Sequence, residues 1–150
     1  MSIWEKIGLD FDWKRLKITE EDWKKQDKRT LLLMLQQLYL IRAFETAVLE
    51  LKQQDLVHGP VHSSIGQEAV AVGAMSGIRQ TDLIGGTHRA HHQFLAKALA
   101  YYTPADYNPL MHKITSQMQQ SINILLAEIM GLSPGCCGGR GGSMHLSDLE

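Results

Sequence analysis

Three polar clusters interrupt an otherwise apolar stretch of chain: His58 with His62, His88-Arg89-Ala90-His91-His92, and Arg140 with Ser143 and His145. Gathered in one pocket, Arg89 and Arg140 would supply fixed positive charge for a phosphate, and the imidazoles would move protons near neutral pH. The third cluster lies in Gly135-Cys136-Cys137-Gly138-Gly139-Arg140-Gly141-Gly142-Ser143-Met144-His145, where five of eleven residues are glycine and none is acidic. Such a loop lets backbone N–H groups approach a ligand closely and suits an anion, so its glycines would add donors to the phosphate. Glycine-rich loops also serve as plain turns and close-packing devices. The nucleotide fingerprints fail: no Lys followed by Ser or Thr closes a P-loop, and the frame from Gly139 ends on Met144 where a dinucleotide loop needs glycine.

Other chemistries fit the spacing less well. His88 and His91 stand three apart with His92 following, which allows a metal site, but a hydrolytic zinc helix wants histidines four apart with a glutamate, and Glu is missing from 69–127. Nucleophilic catalysis by Ser143 or a cysteine lacks an identifiable third group. Cys136 and Cys137 are adjacent, so they build neither a disulfide framework nor a structural zinc site and read as reduced loop residues.

The scaffold's 150 residues are one ordinary domain's length, and a net charge of -1 gives no reason to expect nucleic acid or an anionic membrane as partner. Residues 1–55 carry ten basic and ten acidic side chains, residues 56–150 only five and six, so the second part reads as buried core or subunit interface. Gln36 and Gln37 interrupt the most apolar stretch, which argues against a membrane span, and the charged N-terminus is unlike a secretory signal; a cytoplasmic address is expected.

Residues 1–18 (Trp4, Ile7, Leu9, Phe11, Trp13, Leu16, Ile18) read as an extended arm, and Thr19 followed by Glu20-Glu21-Asp22 caps a short helix. A long helix is predicted over 28–54, with Leu31, Met34, Leu35, Leu38, Ile41, Phe44 or Glu45, Val48 and Leu51 at three- and four-residue steps. On it Arg42 and Glu45, one turn apart, can pair. Further helices are predicted over 65–76 with Gly77 as its cap, 91–99, and 116–130 ended by Gly131, with a short buried strand over 83–87 delivering the chain to His88.

Four ordered motifs carry a family resemblance: His62-Ser63-Ser64-Ile65-Gly66-Gln67-Glu68-Ala69, Thr87-His88-Arg89-Ala90-His91, Leu126-Ala127-Glu128-Ile129-Met130-Gly131, and Gly138-Gly139-Arg140-Gly141-Gly142-Ser143-Met144-His145. Together with Arg42-Ala43-Phe44-Glu45 they resemble the alpha subunit of thiamine-diphosphate-dependent 2-oxo acid dehydrogenases of the pyruvate and acetoin type. The resemblance implies an α/β fold, a parallel sheet wrapped by helices, of which this chain would hold the helix-rich N-terminal portion with the sheet incomplete. Residues 1–27 would be an arm and short helix, and 28–150 the first part of the alpha domain, with an inserted segment at about 101–120.

By position, the resemblance assigns His88 and Arg89 to the cofactor diphosphate, His62 to the substrate, and His145 to the thiazolium end, the last two for proton handling or substrate stabilisation. It implies carbon–carbon cleavage of a 2-oxo acid or acetoin with the cofactor as electron sink, a beta subunit or fused beta domain as partner, and acyl transfer to a lipoyl-bearing acyltransferase. The Gly-Gly-Ser-Met-His form suits pyruvate or acetoin better than branched-chain oxo acids. The Gly-Asp-Gly…Asn motif that holds magnesium is absent, so magnesium ligands are expected downstream, and the chain, ending at Glu150, is expected to be inactive alone. The alternative is a noncatalytic helical assembly module, its long helix an oligomer interface and its glycine loop only a connector.

Overall fold

The computed structural model describes residues 4–6 and 14–148. Ile7, Leu9, Phe11 and Trp13 of the expected arm, and Glu150, lie outside the described residues. The chain divides into two compact units, residues 1–31 and 32–150.

In the first unit, β1 (Trp4–Lys6) pairs antiparallel with β2 (Lys14–Leu16), in the register Trp4 to Leu16, Glu5 to Arg15 and Lys6 to Lys14. Arg15 Nη2 donates to Glu5 Oε1 across the ribbon at 3.2 Å. The extended arm is thus partly strand, paired with itself. The short helix α1 (Glu20–Lys24) forms where its cap is written: the Asp22 N–H donates to Thr19 Oγ1 at 3.3 Å, and the Thr19 N–H donates back to Asp22 Oδ2 at 2.9 Å.

The long helix α2 spans Lys28–Gln53, about 40 Å at 1.5 Å per residue. By length and composition it is apolar enough to cross a bilayer, contrary to the reading of Gln36 and Gln37 as a decisive interruption. Its Gln37, Ile41, Phe44, Glu45 and Val48 are buried within the chain, and the buried share of its most apolar window is 28%. Leu35, predicted on that face, is 48% exposed, and Gln37 takes a buried place instead.

Helix α3 (Glu68–Ser76) starts three residues later than expected, because Gly66 adopts a φ of +92° and Glu68 turns back to accept its N–H. Helix α4 (His91–Tyr101) packs against α3 and against α5 (Ser116–Ile129). After the cap residue Met130, Gly131 takes φ +74°; its N–H donates to Glu128 O and that of Leu132 to Ala127 O, the paired closure that a left-handed glycine permits. Ile41, Phe44, Val48, Val72, Leu95, Leu99, Leu125 and Ile129 form one apolar core with Tyr107. Tyr107 comes from the expected insertion and accepts from Gln36 Nε2 at 2.7 Å.

The strand expected over 83–87 is absent: no strand lies beside it among the described residues, and an isolated extended segment has no ladder to hold it. Nor is it buried, for Leu83 is 85% exposed. The helix-rich part of the expected fold is present, whereas the described strands form only the antiparallel ribbon and no parallel sheet.

Candidate functional site

The glycine loop, residues 135–145, does hold an anion, and the anion is the chain's own. Glu128, in the last turn of α5, is fully buried under the loop. Its Oε2 accepts from the N–H groups of Cys137 at 2.7 Å and Gly139 at 2.9 Å, and its Oε1 from Gly141 at 2.7 Å and Gly142 at 3.2 Å. Burial pushes this carboxyl up, but the hydrogen bonds from Gly139, Cys137, Gly141 and Gly142 more than offset it, and the net shift is downward. Three glycines are compulsory here, for a Cβ on Gly135 would lie 2.5 Å from the Glu128 Cα. A Cβ on Gly139, at φ +76°, would lie 2.5 Å from the Gly131 carbonyl carbon, and one on Gly141 would collide with the His145 carbonyl oxygen. These loop donors are therefore already occupied, which corrects the expectation that they serve a phosphate.

A second buried chain ties the loop to α2 and α4. Glu45 Oε2 accepts the Ser64 N–H at 2.9 Å, and Oε1 lies 2.9 Å from His91 Nδ1. On the far side of the ring, His91 Nε2 lies 2.9 Å from Ser143 Oγ and 3.0 Å from the Ser143 carbonyl. Glu45 and His91 are wholly buried and Ser143 nearly so. Burial raises the Glu45 carboxyl, but the His91 hydrogen bond and charge, with the Ser64 N–H, bring it below its ordinary value. Ser143 therefore has the third group that the sequence failed to reveal, although a buried Oγ offers no route to a substrate carbonyl.

Arg42 and Glu45 do not pair. Arg42 sits on the exposed side of α2 and grips Glu68 through Nε and Nη2, while Glu45 points inward. The Arg42 guanidinium, above all, holds the Glu68 carboxyl down at about 2.

The metal reading of His88, His91 and His92 fails. Helix α4 begins only at His91, whose two ring nitrogens are both engaged. His92 is buried with Nδ1 unpartnered, and burial lowers its pKa, which favours the neutral ring. Glu128, Cys136 and Cys137 place ligand atoms within 4.8 Å of one another, but both carboxylate oxygens are saturated by N–H groups, and burial holds the Cys136 thiol protonated, up to about 11.

Of the residues singled out for chemistry, His88 and His145 line one cleft of about 430 Å³ with Thr87, Met144 and Ser147. His62 packs edge-on against the His88 ring, centroids 4.5 Å apart. Arg89 is exposed next to His88, and the ion pairs of the described residues do not include it. Arg89 and His62 are not part of the cleft lining, and neither are His58 and Arg140, both exposed. Sequence reasoning gave no role to Glu128 or His91 as anchors. One signal was there for Glu128: it is the sole glutamate between 69 and 149, set in an apolar helix.

A profile of the dehydrogenase E1 component family matches residues 36–149. The chain belongs to that family. Among its relatives, the alpha subunit of acetoin:2,6-dichlorophenolindophenol oxidoreductase from Bacillus subtilis is 36% identical over 119 residues, covering 79% of this chain and 29% of the relative. The mitochondrial pyruvate dehydrogenase E1 component subunit alpha of Saccharomyces cerevisiae is 34% identical, covering 79% and 23%. The acetoin relative from Cupriavidus necator is 32% identical, covering 83% and 31%. This E1 chain thus spans less than a third of the length of these relatives, and the matched residues contain both buried anchors and the histidine cleft.

Proposed function

We propose that this chain is the part of a thiamine-diphosphate-dependent E1 alpha subunit that receives the diphosphate end of the cofactor, in an enzyme that decarboxylates a pyruvate-like 2-oxo acid or cleaves acetoin. The observation that carries this is the exposed Arg89, unpaired among the described ion pairs, beside a cleft lined by His88 and His145. The groups present fit a diphosphate: the His88 and His145 imidazoles in the lining, no carboxylate there to repel it, and the exposed Arg89 guanidinium one residue from His88, outside the lining itself. The same lining offers no hard oxygen ligand set for magnesium, so those ligands belong elsewhere in the enzyme.

When bound, the cofactor supplies an electron sink for carbon–carbon cleavage. In this reading Arg89 and His88 neutralise and orient its diphosphate. His62, packed on His88, and His145, across the cleft, hold or move protons on the substrate. A beta subunit or beta domain completes the site, a lipoyl-bearing acyltransferase takes the acyl unit, and the chain is inactive without them. A cytoplasmic location belongs to the same proposal.

Isothermal titration of thiamine diphosphate into the alpha polypeptide assembled with its beta subunit tests the reading. Loss of one charge-assisted contact in Arg89→Ala weakens binding by about 10- to 100-fold, while thiamine without its diphosphate shows no such dependence. Equal affinity in the wild type and in Arg89→Ala would overturn it. Absence of binding altogether would favour the noncatalytic assembly module.

A further inference from the structure

The clasp on Glu128 fixes the first part of the glycine loop, through Cys137, Gly139, Gly141 and Gly142, and ends three residues before His145. The His145 backbone is tied back to that part, its N–H donating to Gly141 O at 3.1 Å and Cys137 Sγ donating to its carbonyl at 3.4 Å, and Ser143 supplies the remaining link, to α4. Both functional oxygens of Ser143, the hydroxyl and the carbonyl, meet the same ring nitrogen of His91, and the opposite nitrogen meets Glu45. Glu45 is anchored in turn by the Ser64 N–H, two residues from His62. One buried carboxylate thereby connects the loop that carries His62 with the loop that carries His145.

We propose that Glu45, His91 and Ser143 form a positioning relay that sets His145 against the cleft, a role that rests on the functional reading of that cleft given above. The relay contains no catalytic residue, since none of its members reaches the cleft lining. Its geometry explains why a polar chain is kept in an apolar core. Ring orientation at His91 is determined from both ends, and a buried hydrogen bond left unmade costs more than one never built. The ring therefore has one low-energy placement, and Ser143 inherits it. Because His145 is only two residues further on, a rotation at Ser143 alters where its imidazole points.

The relay is tested on the isotope-labelled full chain by nuclear magnetic resonance, with no cofactor present. Its signatures are the His145 ring resonances, which report loop placement, and the exchange rate of the His91 ring N–H, which is shielded from solvent in the wild type. Ser143→Ala removes the hydroxyl and keeps the carbonyl. It is expected to move the His145 ring signals towards those of a free histidine and to speed His91 N–H exchange about 5- to 10-fold, with the α2 and α5 amide signals in place. Ser143→Thr, which keeps a hydroxyl, restores both. Glu45→Gln reaches the glycine loop through His91 and is expected to move His145 in the same sense.

If His145 stays at its wild-type position in both Ser143→Ala and Glu45→Gln, the relay is wrong. A displaced His145 in a chain whose enzyme binds no thiamine diphosphate would remove the proposed function and leave the relay standing. Cofactor binding with His145 unmoved in both variants would do the reverse.

Discussion

Inside this chain, Glu45 and Glu128 use both carboxylate oxygens on partners from other segments, whereas His88 in the cleft lining and Arg89 next to it stand exposed and Arg89 lacks a carboxylate among the described ion pairs. The contrast separates two uses of charge. Buried carboxylates hold loops in place and are fully satisfied, because an unsatisfied one would be costly in an apolar core. Exposed cations at a cleft add little to stability and keep their donors for an incoming anion. The glycine loop belongs to the first class by its N–H groups and to the second by its tail at His145.

The sharpest way to break the contrast is to empty the clasp. Glu128→Ala leaves the part-buried N–H groups of Cys137, Gly139, Gly141 and Gly142 without their shared acceptor, and urea denaturation is expected to show a loss of about 3–5 kcal/mol. A loss under 1 kcal/mol would mean that water replaces the carboxylate and that the loop is not held by it.

Next in size is a pair of neighbouring glycines. Gly139→Ala combines a left-handed φ of +76° with a clash against Gly131 and Leu132, for about 3 kcal/mol. Gly138→Ala shares the left-handed φ, +66°, but meets nothing within 4 Å, so about 1 kcal/mol is expected. Similar costs for the two would show that close packing of the loop on the end of α5 does not matter.

Acid should loosen the frame at Glu68. Glu68 is held near 2 against an ordinary 4.5, so its contribution is fully present above about 4.5 and is lost as pH falls towards 2. Arg42 stays charged throughout that window. Thermal melts of the wild type and Glu68→Gln should differ at neutral pH and converge between pH 4.5 and 2. A constant difference across the window would reassign the effect to packing.

The smallest stability effect is expected at the exposed cation. Arg89→Ala should change unfolding free energy by no more than about 0.5 kcal/mol, the usual range for an exposed side chain. A larger loss would place Arg89 in the frame and weaken its proposed role at the cofactor.

Much of the scaffold was legible before any coordinates. Thr19 with Asp22, the glycine-free run on α2, and Gly131 after α5 are local signals, since capping, periodicity and left-handed glycine act within a few residues. The Arg42–Glu45 pair and the strand over 83–87 are not found in the structure, because each depends on a neighbour the local pattern does not specify. Arg42 found Glu68, Glu45 found His91, and Leu83 found no strand beside it among the described residues.

From the order of residues alone came the helices, the three polar clusters, the anion-seeking character of residues 135–145 and the resemblance to E1 alpha subunits, because these reside in short-range spacing and residue type. Tertiary structure alone decided which anion the loop takes, that His91 faces Ser143 across 52 positions, and which histidines share a cleft. Hydrogen-bond partners far apart in the chain are selected by how α2, α4 and α5 pack, and nothing in local sequence fixes that choice.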